Sequence, residues 1–399
     1  MTGKYNNACM PTIMYNTCFI LFCINNVYHF NRTYKEGVEL RELTSTGSEN
    51  NSLYSIQILR GLAALAVVAF HGRWFINGAY SEKMLGNILF DYGSFGVDMF
   101  FIISGFIITM ATERRESAFE FTVKRFFRIY PLYLVCLILF VALSGASFSI
   151  KEYIHAITLT PMNYTSLAPY YGYNILAVAW TLSYEILFYA IFCLSMIISR
   201  KHREIISTIG IFILVSIGWG LNGDITLSPI YSPAWLSPIN YATNPIILNF
   251  VLGMLSYNIY SRIRVVSPNY LTILYASSMI IISLCFLGIV SRGMHHGVLM
   301  WGGLSFFIVT FMSIMERAGF DFNHKKLVFL GGISYSLYLV HPVVFQLFRL
   351  EYMKFFNSTG FVKFLSMIFI SIGVSMITNM LIEKPSQSFA RNIIKRYSR

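Results

Sequence analysis

Of 399 residues, 56% are hydrophobic and only 12% charged, and the mean hydropathy is +0.59. Soluble domains carry about 25% charge, so a soluble globular protein is excluded and a multi-pass membrane protein is predicted. The net charge of +12 does not require a nucleic-acid partner, because Lys and Arg collected on one side of a bilayer account for it. None of the six cysteines shows metal-like spacing, so they read as small hydrophobes, with no disulfide framework and no metal site.

Residues 1–52 differ from the rest of the chain. Ile13 to Phe30 is a short apolar run broken by Asn16, Asn25 and Asn26, and Glu36 to Ser52 is polar. The apolar run suits a signal-like segment, a weak extra span or an upstream extension, and the segment as a whole is expected to be divergent and poorly ordered. From Leu53 onward the chain holds ten apolar stretches of spanning length, at 53–75, 93–112, 126–144, 174–198, 205–221, 242–260, 269–290, 297–315, 327–348 and 361–382. Each approaches the roughly 20 residues that a spanning helix needs. The predicted fold is therefore all-α, a bundle of about ten transmembrane helices over 53–385 with a basic tail at 386–399.

Placing the start of the first helix in the cytoplasm puts 18 Lys and Arg residues in cytoplasmic connections, against 7 in the opposite loops. That asymmetry sets residues near 53 and the C-terminus on the cytoplasmic side. On the other side, Gly145 to Tyr173 and Asn222 to Tyr241 are rich in Tyr, Pro and Asn. They suit an interfacial aromatic belt first and a sugar-binding surface second.

Ionisable residues inside the apolar stretches are the candidates for chemistry, because each is costly in hydrocarbon. Arg60 and His71 share the first span. Eleven steps of about 100° bring them back to one helix face, about 16 Å apart along the axis. Asp98 enters the second span within Phe95-Gly-Val-Asp-Met-Phe-Phe-Ile-Ile-Ser-Gly, and pairing with His71 would orient the imidazole. The Ser104-Gly105 pair reads as a helix-packing device. Arg125 and Arg128, three apart at the mouth of the third span, share a face and suit a phosphate clamp as well as simple anchoring. Glu185 lies inside the fourth span within Trp180-Thr-Leu-Ser-Tyr-Glu, either as a functional carboxylate or as a partner for Arg60. His341, before Pro342 in the ninth span, reads as structural. Glu383-Lys384-Pro385 reads as an anchor for the last span.

Taken together these motifs resemble the acyltransferase-3 family of integral membrane O-acyltransferases. Those that carry the resemblance are Leu59-Arg-Gly-Leu-Ala-Ala with His71, Gly96-Val-Asp-Met-Phe-Phe-Ile-Ile-Ser-Gly-Phe, Arg125-Phe-Phe-Arg-Ile-Tyr-Pro-Leu-Tyr, Trp180-Thr-Leu-Ser-Tyr-Glu and Ser334-Tyr-Ser-Leu-Tyr-Leu-Val-His-Pro. The wording around Trp180 and Asn244-Pro-Ile-Ile-Leu-Asn-Phe-Val-Leu-Gly-Met is most similar to the branch that modifies bacterial exopolysaccharides, where a carboxylate often stands in place of Asn249.

The resemblance implies transfer of an acyl group, usually acetyl, from cytoplasmic acyl-CoA to a hydroxyl of a carbohydrate or lipid-linked glycan, in the bacterial inner membrane. His71 suits the general base that a weakly nucleophilic hydroxyl requires. Asp98 or Glu185 would compensate the imidazolium. Arg60 would meet the thioester end of the donor or its developing oxyanion, and Arg125 and Arg128 would hold the CoA phosphates. Direct transfer stands ahead of a covalent acyl-enzyme, for which no nucleophile is evident. A transporter or flippase using the same groups as a proton relay is the alternative.

Overall fold

The computed structural model describes residues 53–113, 116–232, 238–263, 268–291, 293–349 and 359–397; the predicted extension 1–52 lies outside them. Among the described residues the chain is helical and has no strand. Its helices are α1 (Tyr54–Gly72), α2 (Leu85–Phe90), α3 (Phe95–Thr112), α4 (Ala118–Ser144), α5 (Ile150–Thr158), α6 (Trp180–Ile198), α7 (Arg203–Asn222), α8 (Pro238–Ala242), α9 (Leu248–Arg262), α10 (Pro268–Ile289), α11 (Trp301–Arg317), α12 (Lys325–Gly332), α13 (Ser334–Arg349), α14 (Phe361–Thr378) and α15 (Lys384–Tyr397).

Among the described residues seven helices are long and apolar enough to cross a membrane, or up to eight if the bent pair α12 and α13 forms one span. The sequence predicts ten. The difference arises at 242–260 and 297–315, where α9 has 15 residues and α11 has 17. Asn244 and Pro245 interrupt the first of these. The Asn244 side chain accepts from the Ile246 amide at 3.0 Å and donates to the Pro229 carbonyl at 2.9 Å, so the α-helix begins only at Leu248. In the second, the Gly297 amide is turned toward Asp98 at 3.0 Å and α11 starts at Trp301. Both short helices lie against α3 in the interior.

Close backbone approach organises the centre of the bundle. A Cβ on Gly105 of α3 would stand 3.1 Å from the Gly253 Cα of α9 and would collide with the Phe250 carbonyl, so Gly105 is the packing member of the Ser104-Gly105 pair, while Ser104 donates to Glu185 instead. Where α1 crosses α12, a Cβ on Gly61 would stand 2.8 Å from the Gly331 amide nitrogen. The N-terminus of α1 is closed from another helix. Glu316 accepts from the Tyr54 and Ser55 amides, both at 2.8 Å, and from the Ser55 hydroxyl. A carboxylate on these otherwise orphan amides stabilises the helix start by about 1 kcal/mol.

Helix α4 starts earlier than the predicted span at 126. Ser117 and Glu120 form a capping box that opens it, so Arg125 and Arg128 sit two turns and more inside the helix instead of at its mouth. Pro131 within α4 has no N–H and leaves the Phe127 carbonyl without its helical donor. Ser386 of α15 donates to that carbonyl at 2.7 Å, which ties the final helix to α4. The loops at 145–173 and 222–241 hold each other: the Tyr171 and Tyr231 hydroxyls lie 2.9 Å apart, and the Ala168 amide donates to the Tyr231 carbonyl at 3.0 Å. Tyr171 is fully buried and belongs to this loop core, not to a membrane-facing belt.

Candidate active site

A cavity of about 220 Å³ opens near the start of α1, and it gathers four of the predicted site residues: Arg60, Arg125, Arg128 and Glu185. The periodicities account for this. Three residues apart on α4, Arg125 and Arg128 share a face, and that face meets α1, α3, α6 and the start of α13. Ser104, Tyr189, Tyr335 and Tyr338 are among the other polar residues that line it, between apolar walls that include Val97, Phe100 and Phe101.

Within the cavity the charges are held differently from one another. Arg60 donates to the Gln57 side chain at 3.2 Å. Glu185 accepts from the Ser104 hydroxyl at 3.3 Å and from Tyr189, so hydroxyls rather than a guanidinium fix the carboxylate. Arg125 lies over the rings of Phe121 and Tyr189, with its centre 5.4 and 5.7 Å from theirs, and its buried Nε lacks a hydrogen-bond partner. Arg128 faces Glu383 at 3.9 Å.

Glu383 is therefore not the anchor expected from the sequence. It is 4% exposed and accepts from Ser336 at 2.8 Å, Asn379 at 2.8 Å and Gln387 at 3.2 Å. A π-helical turn over Asn379–Glu383 places this carboxylate behind Arg128. Such turns add a residue to the helix and re-aim side chains, often at functional sites.

His71 stands at the opposite end of α1 and does not line the cavity. It is half-buried; its Nδ1 lies 2.9 Å from the Val67 carbonyl and 3.3 Å from Nε2 of His341. The two imidazole centroids are 5.0 Å apart. His341 reads as structural in the sequence, yet it is the side chain that meets His71. The Tyr338 ring, one turn back on α13 and part of the cavity wall, lies 6.1 Å from the His341 ring. One aromatic layer thus separates the histidine pair from the arginine cavity.

Asp98 corrects a second expectation, for its histidine is His296 and not His71. Oδ2 of Asp98 lies 2.6 Å from Nδ1 of His296, while Oδ1 accepts from Asn249 at 2.8 Å and from the Gly297 amide at 3.0 Å. Asp98 has no exposed surface. The faces of α3 explain the outcome: Val97, Phe101 and Ser104 look into the cavity, whereas Asp98 points to α9 and the start of α11. Trp180 and Trp301 flank His296, with ring centres 5.8 and 5.2 Å away. Nothing in the local sequence around Asp98 signals a partner 198 residues further along the chain.

Comparison with known proteins bears on this arrangement. The sequence profile of acyltransferase family 3, described as an acyltransferase domain, matches residues 53–380. The chain is 30% identical over 258 residues to the exopolysaccharide production protein ExoZ of Rhizobium meliloti (strain 1021), covering 63% of this chain and 76% of that protein. It is 36% identical over 86 residues to the acyltransferase MdmB of Streptomyces mycarofaciens, a match to 21% of this chain and 22% of that protein. No solved structure matches it. The chain belongs to acyltransferase family 3 and is a multi-pass membrane acyltransferase.

Proposed function

We propose that the enzyme moves an acyl group, acetyl in the first instance, from cytoplasmic acyl-CoA to a hydroxyl of a surface carbohydrate or glycolipid, such as exopolysaccharide, capsule or O-antigen. It does so in the bacterial inner membrane, with residues near 53 and the C-terminus cytoplasmic. The observation that carries this reading is the convergence of Arg60, Arg125 and Arg128 on one cavity at the start of α1, the end that the positive-inside asymmetry assigns to the cytoplasm. Guanidinia in a partly desolvated wall suit the phosphates of an acyl-CoA. The carbohydrate acceptor is favoured by similarity to a protein named for exopolysaccharide production.

In this reading His71 is the general base. The Val67 carbonyl can only accept, so Nδ1 of His71 carries the proton and Nε2 is the bare nitrogen. Nε2 takes the proton of the acceptor hydroxyl as its oxygen attacks the thioester carbon. A C–O bond forms, the C–S bond breaks, and the proton passes from His71 to the departing CoA thiolate. Arg60, about three turns of α1 away from His71, meets the donor on the cytoplasmic side of its thioester, and Arg125 and Arg128 bind the donor's phosphates. Glu185 orients the cavity hydroxyls of Ser104 and Tyr189. Asp98 acts at a distance, fixing His296 and the wall formed by α3, α9 and α11.

The test is the ester content of surface polysaccharide, read by NMR in a deletion strain complemented with wild type or with His71→Ala at equal membrane levels. Loss of an ester on deletion, its return with wild type and its absence with the variant are expected. Unchanged ester content in every strain would remove the carbohydrate acceptor from consideration.

A further inference from the structure

We infer that His341 is a positioning residue for His71, holding the proton on Nδ1 and sharing the charge that His71 acquires during transfer. The inference rests on the reading of His71 as the base. Its geometry is independent of that reading. Nδ1 of His341 lies 3.2 Å from the Leu337 carbonyl one turn back on α13. A carbonyl only accepts, so this nitrogen also carries its proton and Nε2 of His341 presents a lone pair. That lone pair stands 3.3 Å from Nδ1 of His71. The Nδ1 proton of His71 is thus enclosed by two acceptors, the Val67 carbonyl of its own helix and the His341 imidazole of α13, 270 residues away.

The two rings are not equivalent. His341 has no exposed surface and both of its nitrogens are engaged. His71 is half-buried and keeps Nε2 unassigned. The reactive edge therefore belongs to His71, with His341 behind it, in the place where many acid–base histidines carry a carboxylate. A neutral imidazole suits this depth better, because it imposes no permanent buried charge when the enzyme is at rest. When Nε2 of His71 takes the hydroxyl proton, the Nδ1 proton becomes more acidic and the His341 lone pair takes a larger share of it. Its release back to His71 accompanies protonation of the thiolate, so the pair ends as it began. Around the pair stand Phe70, Phe345 and Tyr338, with ring centres 5.0, 5.4 and 6.1 Å from the nearer imidazole. These rings shield the pair without competing for the proton.

The experiment uses membrane vesicles from the producing strain, carrying the full chain and its native glycan, supplied with radiolabelled acetyl-CoA. Label in polysaccharide is followed for wild type, His341→Phe, His341→Gln and His71→Gln at matched membrane levels. His341→Phe removes the acceptor and should lower kcat by about 10- to 100-fold, while the apparent KM for acetyl-CoA stays within about twofold. His341→Gln returns an acceptor oxygen to the same place and should recover most of the rate. A smaller, flexible His341→Met replaces the Phe variant if that protein does not accumulate. Equal rates for the Phe and Gln variants, or a change confined to KM, would overturn the inference. With His71→Gln inactive and His341→Phe at the wild-type rate, only the role of His341 falls. An active His71→Gln would remove the base assignment and the pair's role together, as would wild-type vesicles that transfer no label.

Discussion

Replacing Glu383 with Gln changes one oxygen for an amide and nothing in shape, yet the structure predicts a large cost. The carboxylate is 4% exposed and every group around it is a donor or a cation: the Ser336 hydroxyl, the Asn379 and Gln387 amides, and Arg128 at 3.9 Å. An amide in its place turns an NH2 toward donors and leaves Arg128 facing a neutral group. At that separation the gross attraction is about 4 kcal/mol with an effective dielectric constant of about 20. Loss of one member of a buried pair typically costs about 3–5 kcal/mol, because the other charge stays buried without compensation. We therefore expect Glu383→Gln to destabilise the enzyme by about 3 kcal/mol, a fall of roughly 6–9 °C in the thermal transition of detergent-solubilised protein. Arg128→Met in the same background should then cost less than it does alone, since the two changes remove one interaction. If Glu383 were an interfacial anchor, the Gln variant would melt within about 1 °C of wild type, as surface substitutions do. That result, or full additivity of the two changes, would refute the assignment of Glu383 as the partner of Arg128.

The cavity and its surroundings lead to two further expected outcomes. Arg125→Lys with Arg128→Lys keeps both positive charges, and hence topology, but loses the planar forks; the apparent KM for acyl-CoA should rise by roughly tenfold in vesicle assays, and an unchanged KM would exclude a donor clamp at this site. Asp98→Asn leaves three buried donors facing an amide and should lower stability by about 2–3 kcal/mol, measured as a lower thermal transition, while the apparent KM for acyl-CoA stays within about twofold.

What the sequence makes legible here is whatever one helix decides for itself. Arg60 and Glu185 in apolar stretches, and the three-residue step between Arg125 and Arg128, each announce an inward face, and the cavity brings these four together. The eleven-residue step from Arg60 to His71 fixes their separation along α1 in the same way. What stays illegible is which face meets which. Asp98 finds His296 and His71 finds His341 across 198 and 270 residues, and no local pattern distinguishes those partners from others. Glu383 is misread for a related reason. In a regular helix its place beside Lys384 suggests an end facing headgroups, whereas the π-helical turn at Asn379–Glu383 rotates it into the bundle. The span count is affected by two local breaks, at Asn244-Pro245 and at Gly297. Hydropathy averages over these, although the hydrogen bonds of Asn244 and of the Gly297 amide do not.

The charges within the bundle divide into two kinds. Some are matched where they lie, towards the surface: Arg73 meets Asp91 at 3.1 Å, Lys124 meets Glu116 at 2.8 Å and Arg203 meets Glu204 at 3.3 Å. The cavity is different. Among the described residues that line it, three guanidinia face one carboxylate, Glu185, and even with Glu383 behind Arg128 one positive charge is left over. An uncompensated cation in such surroundings costs several kcal/mol unless water or an anion meets it. On the function proposed above, that surplus is matched by the anionic donor that enters the cavity. Among the reactants of an acyl transfer to a sugar hydroxyl, the anion is the donor. The acceptor is neutral at the reacting group and needs a base instead of a cation, and His71 stands at the other end of the same helix face. In the proposed reaction, the arginine end and the histidine end of α1 correspond to that difference between the two substrates.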